Sequence, residues 1–295
     1  MKRDRRGRSA LGVAASAGLA LALAGCLSMG ERYAMMTTPS AEAWTAWSAH
    51  DAASTRSVDH GAWDALLKGY LRVEPSGQVL FRYDAVAADD REALDAYIRR
   101  LTFTPVDRLN RAEQKAYWVN LHNALLLRLV LTRGPVDSVR DIDLGGVGVP
   151  GLSPRPGPWS RKLVEVQGRP VSLDDIRHRI LRPLWRDPRV HFMLWNAARG
   201  GPAPRPRALR AEDLDLQLDA AASAYVNGPN GIADTADGGL SVSRLFLWYR
   251  DDFGGDDGAV LTFLKRYATA DVATRLARAD GIDAYHYDWS LDGAP

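Results

Sequence analysis

The chain holds a single cysteine, Cys26. No disulfide can close within it, and no thiolate cluster can hold a metal. Whatever fold forms is held by packing and hydrogen bonds. The composition suits that demand: 46% of the residues are apolar and nine are tryptophan, enough for a substantial packed core.

Position 26 takes the cysteine out of the folded body as well. A basic start, Lys2-Arg3-Asp4-Arg5-Arg6-Gly7-Arg8, precedes an apolar run from Ala10 to Ala24. That run is short for a membrane span and reads as a secretory signal peptide over residues 1–25. Arg5-Arg6 lacks the apolar residues expected just after a twin-arginine pair. Leu23-Ala24-Gly25-Cys26 resembles the bacterial lipobox, whose cysteine receives a diacylglycerol and becomes the mature N-terminus. The resemblance implies lipidation at Cys26 and a protein anchored in the bacterial cell envelope. Leu27, rather than an aspartate, implies the outer membrane's periplasmic face. The lipid makes a membrane the first expected partner. Residues 26–55 read as the lipidated N-terminus and tether, and 56–291 as the domain. Removing the five basic residues and one acidic residue of the signal turns the formal charge from +2 to −2. The mature chain thus has no electrostatic case for nucleic acid.

Periodicity places helices at 61–71, 89–101, 111–133 and 172–184, and further ones near 211–226, 243–252, 257–267 and 271–278. Trp44 and Trp47 stand at the spacing of a first helix. Gln78–Tyr83 reads as a strand, and Lys162–Leu173 as a hairpin turning at Gln167-Gly168. Val190–Trp195 reads as a short buried strand, and Tyr285–Trp289 as one that closes a sheet. Residues 144–157 and 200–207 read as loops rich in Gly and Pro. Ser172 and Asp175 have the spacing of a capping box. Helices outnumber strands in no βαβ order, so the expected class is α+β: one helix-rich domain with a small mixed or antiparallel sheet.

Five segments resemble the family called domain of unknown function 547: Tyr117–Ala124, Ser172–Arg182, Asp187–Phe192 ending at Pro202, Leu245–Phe253, and Tyr287–Leu291. With the 60–83 stretch they cover most of residues 60–291. The resemblance implies two cysteines that this chain lacks; Asn196 and Gly201 stand at their positions. Arg177 stands where a glutamate is usual and His122 where a tyrosine is usual. Any thiol chemistry of relatives is therefore closed to this chain.

The remaining polar residues allow two readings each. Asn120 and Asn123 share one face of an apolar helix, either to bond the backbone of a neighbouring loop or to line a pocket. His191 with Arg199 just beyond it has the placement of a base beside an anion clamp, or of a half-buried histidine beside a solvated cation. His178 lies near Asp174 and Asp175, as a surface pair or as part of a site. The six histidines lack metal-ligand spacing, so neither a metal nor a cofactor is expected. No phosphate loop and no Gly-x-Ser-x-Gly elbow occurs. Two functions follow. One is a binding or accessory protein that keeps the family's fold without its cysteines, with a small molecule or an envelope protein as partner. The other is a thiol-independent hydrolase or transferase, with His191 as acid or base, Arg199 as clamp, and Asn196 or Asn120 as oxyanion donor.

Overall fold

The computed structural model describes residues 41–134, 136–142 and 158–293. The signal peptide, Cys26 and the loop expected at 144–157 lie outside the described residues. In chain order the elements are α1 (Gly61–Tyr70), β1 (Leu71–Val73), β2 (Val79–Phe81), α2 (Ala88–Thr102), α3 (Arg111–Arg133), β3 (Val164–Val166) and β4 (Arg169–Val171). A π-helical stretch, Asp175–Leu181, then runs into α4 (Arg182–Trp185). There follow α5 (Leu214–Asn227), β5 (Ile232–Asp234), β6 (Leu240–Ser243), α6 (Arg244–Trp248), α7 (Asp257–Tyr267), α8 (Ala270–Arg278) and β7 (Ala284–His286). β1–β2 and β3–β4 are antiparallel hairpins; β6 pairs antiparallel with β5 and parallel with β7. The domain is helix-rich α+β, as its sequence leads one to expect.

The domain is built around α3. Asn110 caps it, its side-chain oxygen accepting from the Glu113 amide at 2.9 Å. Every residue from Glu113 to Leu127 is buried, so over this stretch α3 has no solvent face and packs on all sides. A polar group on such a helix must find a partner. Tyr117 Oη donates to the Leu101 carbonyl at 2.9 Å, and Gln114 Nε2 to the carbonyls of Ala49 and Val106. Lys115 Nζ meets Asp187 Oδ2 at 2.5 Å. Trp118 and Tyr117 beside it are fully buried; side chains of that size dominate core energetics.

Several expectations are corrected by packing. Val190–Trp195 is not a strand: Pro188–Phe192 forms a 3-10 turn that Asp187 caps through the Arg189 amide. A short apolar run does not distinguish a buried strand from a buried turn. Trp44 and Trp47 bracket a single 3-10 turn, Thr45–Trp47, rather than a helix. Trp47 is buried against Trp118, at a ring distance of 4.9 Å, and the Trp44 amide donates to the Arg179 carbonyl. Residues 44–47, expected within the 26–55 segment, thus pack on the body of the domain. The helix expected at 243–252 divides into the end of β6, α6 and a 3-10 turn at Arg250–Phe253. The strand expected at Tyr285–Trp289 ends at His286. Beyond it the chain continues as a strap, with isolated bridges from Ser290 to Ser138, Leu291 to Ala198 and Gly293 to Phe81. β5 and β6 were not legible in the sequence, where Gly and Asp residues surround them.

Candidate functional site

The capping box at Ser172 starts the segment that carries the site. Ser172 Oγ accepts from the Asp175 amide at 3.1 Å, and Asp175 Oδ2 accepts from the Ser172 amide at 2.9 Å. The helix then widens to π geometry from Asp175 to Leu181, a feature frequent at functional sites. Asp174, Arg177 and His178 face one pocket of about 160 Å³. His122 of α3, Asn196 and Tyr249 add polar walls, and Trp159, Trp248 and Trp289 add aromatic ones. The backbone that presents Asn196 is strained: Ala197 next to it has φ 51°, a conformation costly for a residue with a Cβ.

Arg177 is the charged centre of this pocket. It is 8% exposed. Nη1 donates to Tyr249 Oη at 2.8 Å and Nη2 to Asn196 Oδ1. Both partners are neutral, and no carboxylate among the described residues lies within ion-pair distance of it. A buried cation so arranged keeps an attraction for an anion that its neighbours do not satisfy. Burial pushes the Asp174 carboxyl up to about 6, against the pull of the nearby Arg177. His178 Nδ1 accepts from Arg182 Nη1 at 3.0 Å, which places the ring proton on Nε2, 3.7 Å from Asp174 Oδ1. Burial, with Arg177 and Arg182 nearby, holds His178 well below its ordinary pKa, so it is neutral at pH 7. Burial likewise brings His122 down to about 3. The pocket at neutral pH thus offers one cation, the largely ionised Asp174 carboxylate at its wall, neutral imidazoles, an amide and ring faces.

The other sequence candidates lie elsewhere. His191 is buried and stacks on Tyr249 at 4.0 Å; its Nε2 donates to Asp252 Oδ2 at 2.7 Å. Burial is the largest cause bringing its pKa down to about 4, although Asp252 opposes it. It sits behind Tyr249 and does not line the pocket. Arg199 is not paired with it: its guanidinium reaches Gln78 Oε1 and the Gly293 carbonyl, and it lines a different cavity. Asn120 makes a two-way clasp with the backbone of Leu209, at 2.8 and 3.0 Å. Asn123 does the same to the Met193 carbonyl and the Trp195 amide, at 2.8 and 3.0 Å. Both therefore tie backbone to α3, at Met193, Trp195 and Leu209, on either side of the 196–207 stretch. A β carbon on Gly201 would lie 2.8 Å from Tyr287 Oη and 3.2 Å from Asn196 Cβ, so a side chain there meets Tyr287 and Asn196. Among the described residues no three His, Cys, Asp or Glu side chains converge as a metal site, and no helix is long and apolar enough to cross a membrane.

Sequence reasoning singled out His178 and Asn196 and passed over Arg177, Asp174 and the tryptophans as site residues. Trp248 and Tyr249 look like core from their spacing, and only their contacts show them at a pocket wall. The signal for Arg177 was its place in a motif that elsewhere carries the opposite charge.

Fold and pocket together define a helix-rich α+β domain with a small polar cleft walled by aromatic rings. Residues 106–226 match the family model described as "Protein of unknown function, DUF547", which supports the resemblance drawn from the motifs. His122, Asp174, Arg177, His178 and Asn196 fall within that match. No curated protein and no solved structure matches the chain.

Proposed function

We propose that this is an envelope lipoprotein, anchored through Cys26, that binds a small carboxylate-bearing ligand at Arg177. The observation that carries the binding reading is the buried guanidinium with only neutral hydrogen-bond partners in a pocket walled by tryptophan. A ligand carboxylate would give Arg177 the direct charged partner that Asp174, in the same wall but not bonded to it, does not, and the indoles would cover the ligand's apolar part. Binding is favoured over hydrolysis because His191, the expected acid or base, spends Nε2 on Asp252 and lies behind Tyr249. Among the described residues no serine or threonine lines the pocket to serve as a nucleophile.

Tryptophan emission titrated with benzoate and with acetate tests the site. A saturable change with benzoate, lost in Arg177→Gln, is expected. No saturable change with either, or one that survives Arg177→Gln, refutes the assignment. The anchor is tested separately: fatty-acid labelling and membrane fractionation should both be lost in Cys26→Ser. A wild-type protein that takes no label refutes the lipid.

A further inference from the structure

A second concentration of positive charge lies in the 200–207 loop, away from Arg177. Prolines 202, 204 and 206 alternate with Ala203, Arg205 and Arg207. Proline at every second position fixes φ and denies the segment a helix or an interior strand. The neighbouring arginines have carboxylate partners: Arg207 pairs with Asp213, and Arg210 with Asp64 at 2.5 Å. Arg205 differs. It is partly buried, and it has no hydrogen bond or ion pair to any described residue.

Arg205 and Arg199 line one cavity of about 110 Å³. Arg199 reaches only neutral oxygens, Gln78 Oε1 at 3.4 Å and the Gly293 carbonyl at 3.2 Å. Its own carbonyl accepts from Gln78 Nε2 at 3.1 Å and Asn230 Nδ2 at 2.6 Å. Those two amides hold the loop in place without using the guanidinium's charge. One acid stands in the wall, Asp292. Its two oxygens are taken by Tyr83 Oη and Trp195 Nε1, each at 2.6 Å. Ala198, Gly201, Ala203 and Ala221 form much of the remaining wall, and their small side chains keep the space open. The cavity is small and suits a compact tetrahedral oxyanion rather than a large ligand.

We propose that this cavity is a binding site for a phosphoryl dianion, gripped by Arg199 and Arg205. Neither guanidinium is bonded to a carboxylate, and Asp292 is the one acid in the wall; two forks so placed favour a group with more than one negative charge and several acceptor oxygens, where a monocarboxylate would engage fewer of their donors. The site is separate from the Arg177 pocket and does not depend on that pocket's function.

The test is calorimetric titration of the purified protein with inorganic phosphate at constant ionic strength. Saturable binding is expected, weakened at least tenfold by Arg205→Gln and partly restored by Arg205→Lys. Arg207→Gln, an equal loss of charge two residues away, should leave binding unchanged. Absence of saturable phosphate binding, or equal weakening by Arg205→Gln and Arg207→Gln, overturns the site. Thermal melts of each variant verify folding, and the Lys variant carries the test if Gln unfolds the loop. A second arm separates sources of the phosphoryl group. The Cys26→Ser protein is sedimented with phosphatidylcholine vesicles with and without phosphatidic acid. Sedimentation that needs both the acidic lipid and Arg205 assigns a lipid headgroup; none assigns a free phosphorylated compound.

Discussion

His191 and Asp252, sixty-one positions apart, are joined by a 2.7 Å bond from Nε2 to Oδ2. Arg182 holds the same carboxylate through Nε and Nη2. Burial alone would raise the Asp252 pKa, but the bonds from His191 and Arg182 hold it well below the usual carboxylate range. The relationship is structural glue: it locks the Pro188–Phe192 turn and the Arg250–Phe253 turn onto α4. Asp252→Ala should cost about 3 kcal/mol, because it leaves a buried cation and a buried imidazole short of their acceptor. Urea denaturation measures this. An unchanged midpoint would mean that the pair contributes nothing.

Asn123 is the corresponding polar clasp on α3. Asn123→Leu would strand the Met193 carbonyl and the Trp195 amide inside the core. The expected loss is about 2–3 kcal/mol, at the level of two buried groups left without partners. Asn123→Asp is informative beside it, since it keeps an acceptor for the Trp195 amide and loses only the donor to Met193. It should be the milder change when the carboxyl is protonated at low pH.

The pH dependence of stability follows from the buried histidines. Burial is the largest cause bringing His60 and His191 down to about 4 and His122 to about 3, and His178 lies well below its ordinary value. As pH falls below about 6.5 the unfolded chain takes up protons on these rings while the folded one does not, so stability is lost. Three carboxyls act in the opposite sense. Burial raises Asp174 and Asp292 to about 6 and raises Glu113, so the folded state binds their protons first and gains stability on acidification. His286, also lowered by burial, adds to the loss, so five histidines stand against three carboxyls and the net effect is a loss. The denaturation midpoint should fall between pH 7 and pH 5; a midpoint that rises would contradict these environments.

Asn196 and Gly201 occupy the two positions where the family resemblance leads one to expect cysteines. A β carbon on Gly201 would stand 3.2 Å from Asn196 Cβ, a few tenths of an ångström inside the separation of about 3.5–4.5 Å that a disulfide bridges, so a small shift would bring the pair into range. The double variant Asn196→Cys/Gly201→Cys, made on Cys26→Ser, should therefore oxidise spontaneously. Mass spectrometry of non-reduced peptides, with free-thiol titration, reads the crosslink. Two free thiols after air oxidation would show that Tyr287, 2.8 Å from the new β carbon, keeps the pair apart. Gly201 does not have a positive φ, so the substitution meets a contact rather than backbone strain.

The sequence by itself determined the elements whose causes are local. α3 runs from Arg111 to Arg133 as its cap and its Gly134-Pro135 stop demand. The β3–β4 hairpin turns at Gln167-Gly168, where both residues have positive φ. Ser172 and Asp175 cap each other across three residues. Each of these depends on side chains a few positions apart, and a sequence records such spacing directly. Tertiary structure alone decided what depends on distance through space. Val190–Trp195 is built on the Pro188–Phe192 turn, which packs against α5. Trp47 joined the core because Trp118 meets it. Arg177 became the centre of a pocket because Asn196 and Tyr249 are brought to it from 19 and 72 positions away. Nothing in the local spacing of Arg177 records that its partners are neutral; that follows only from which long-range neighbours the packed core places around it.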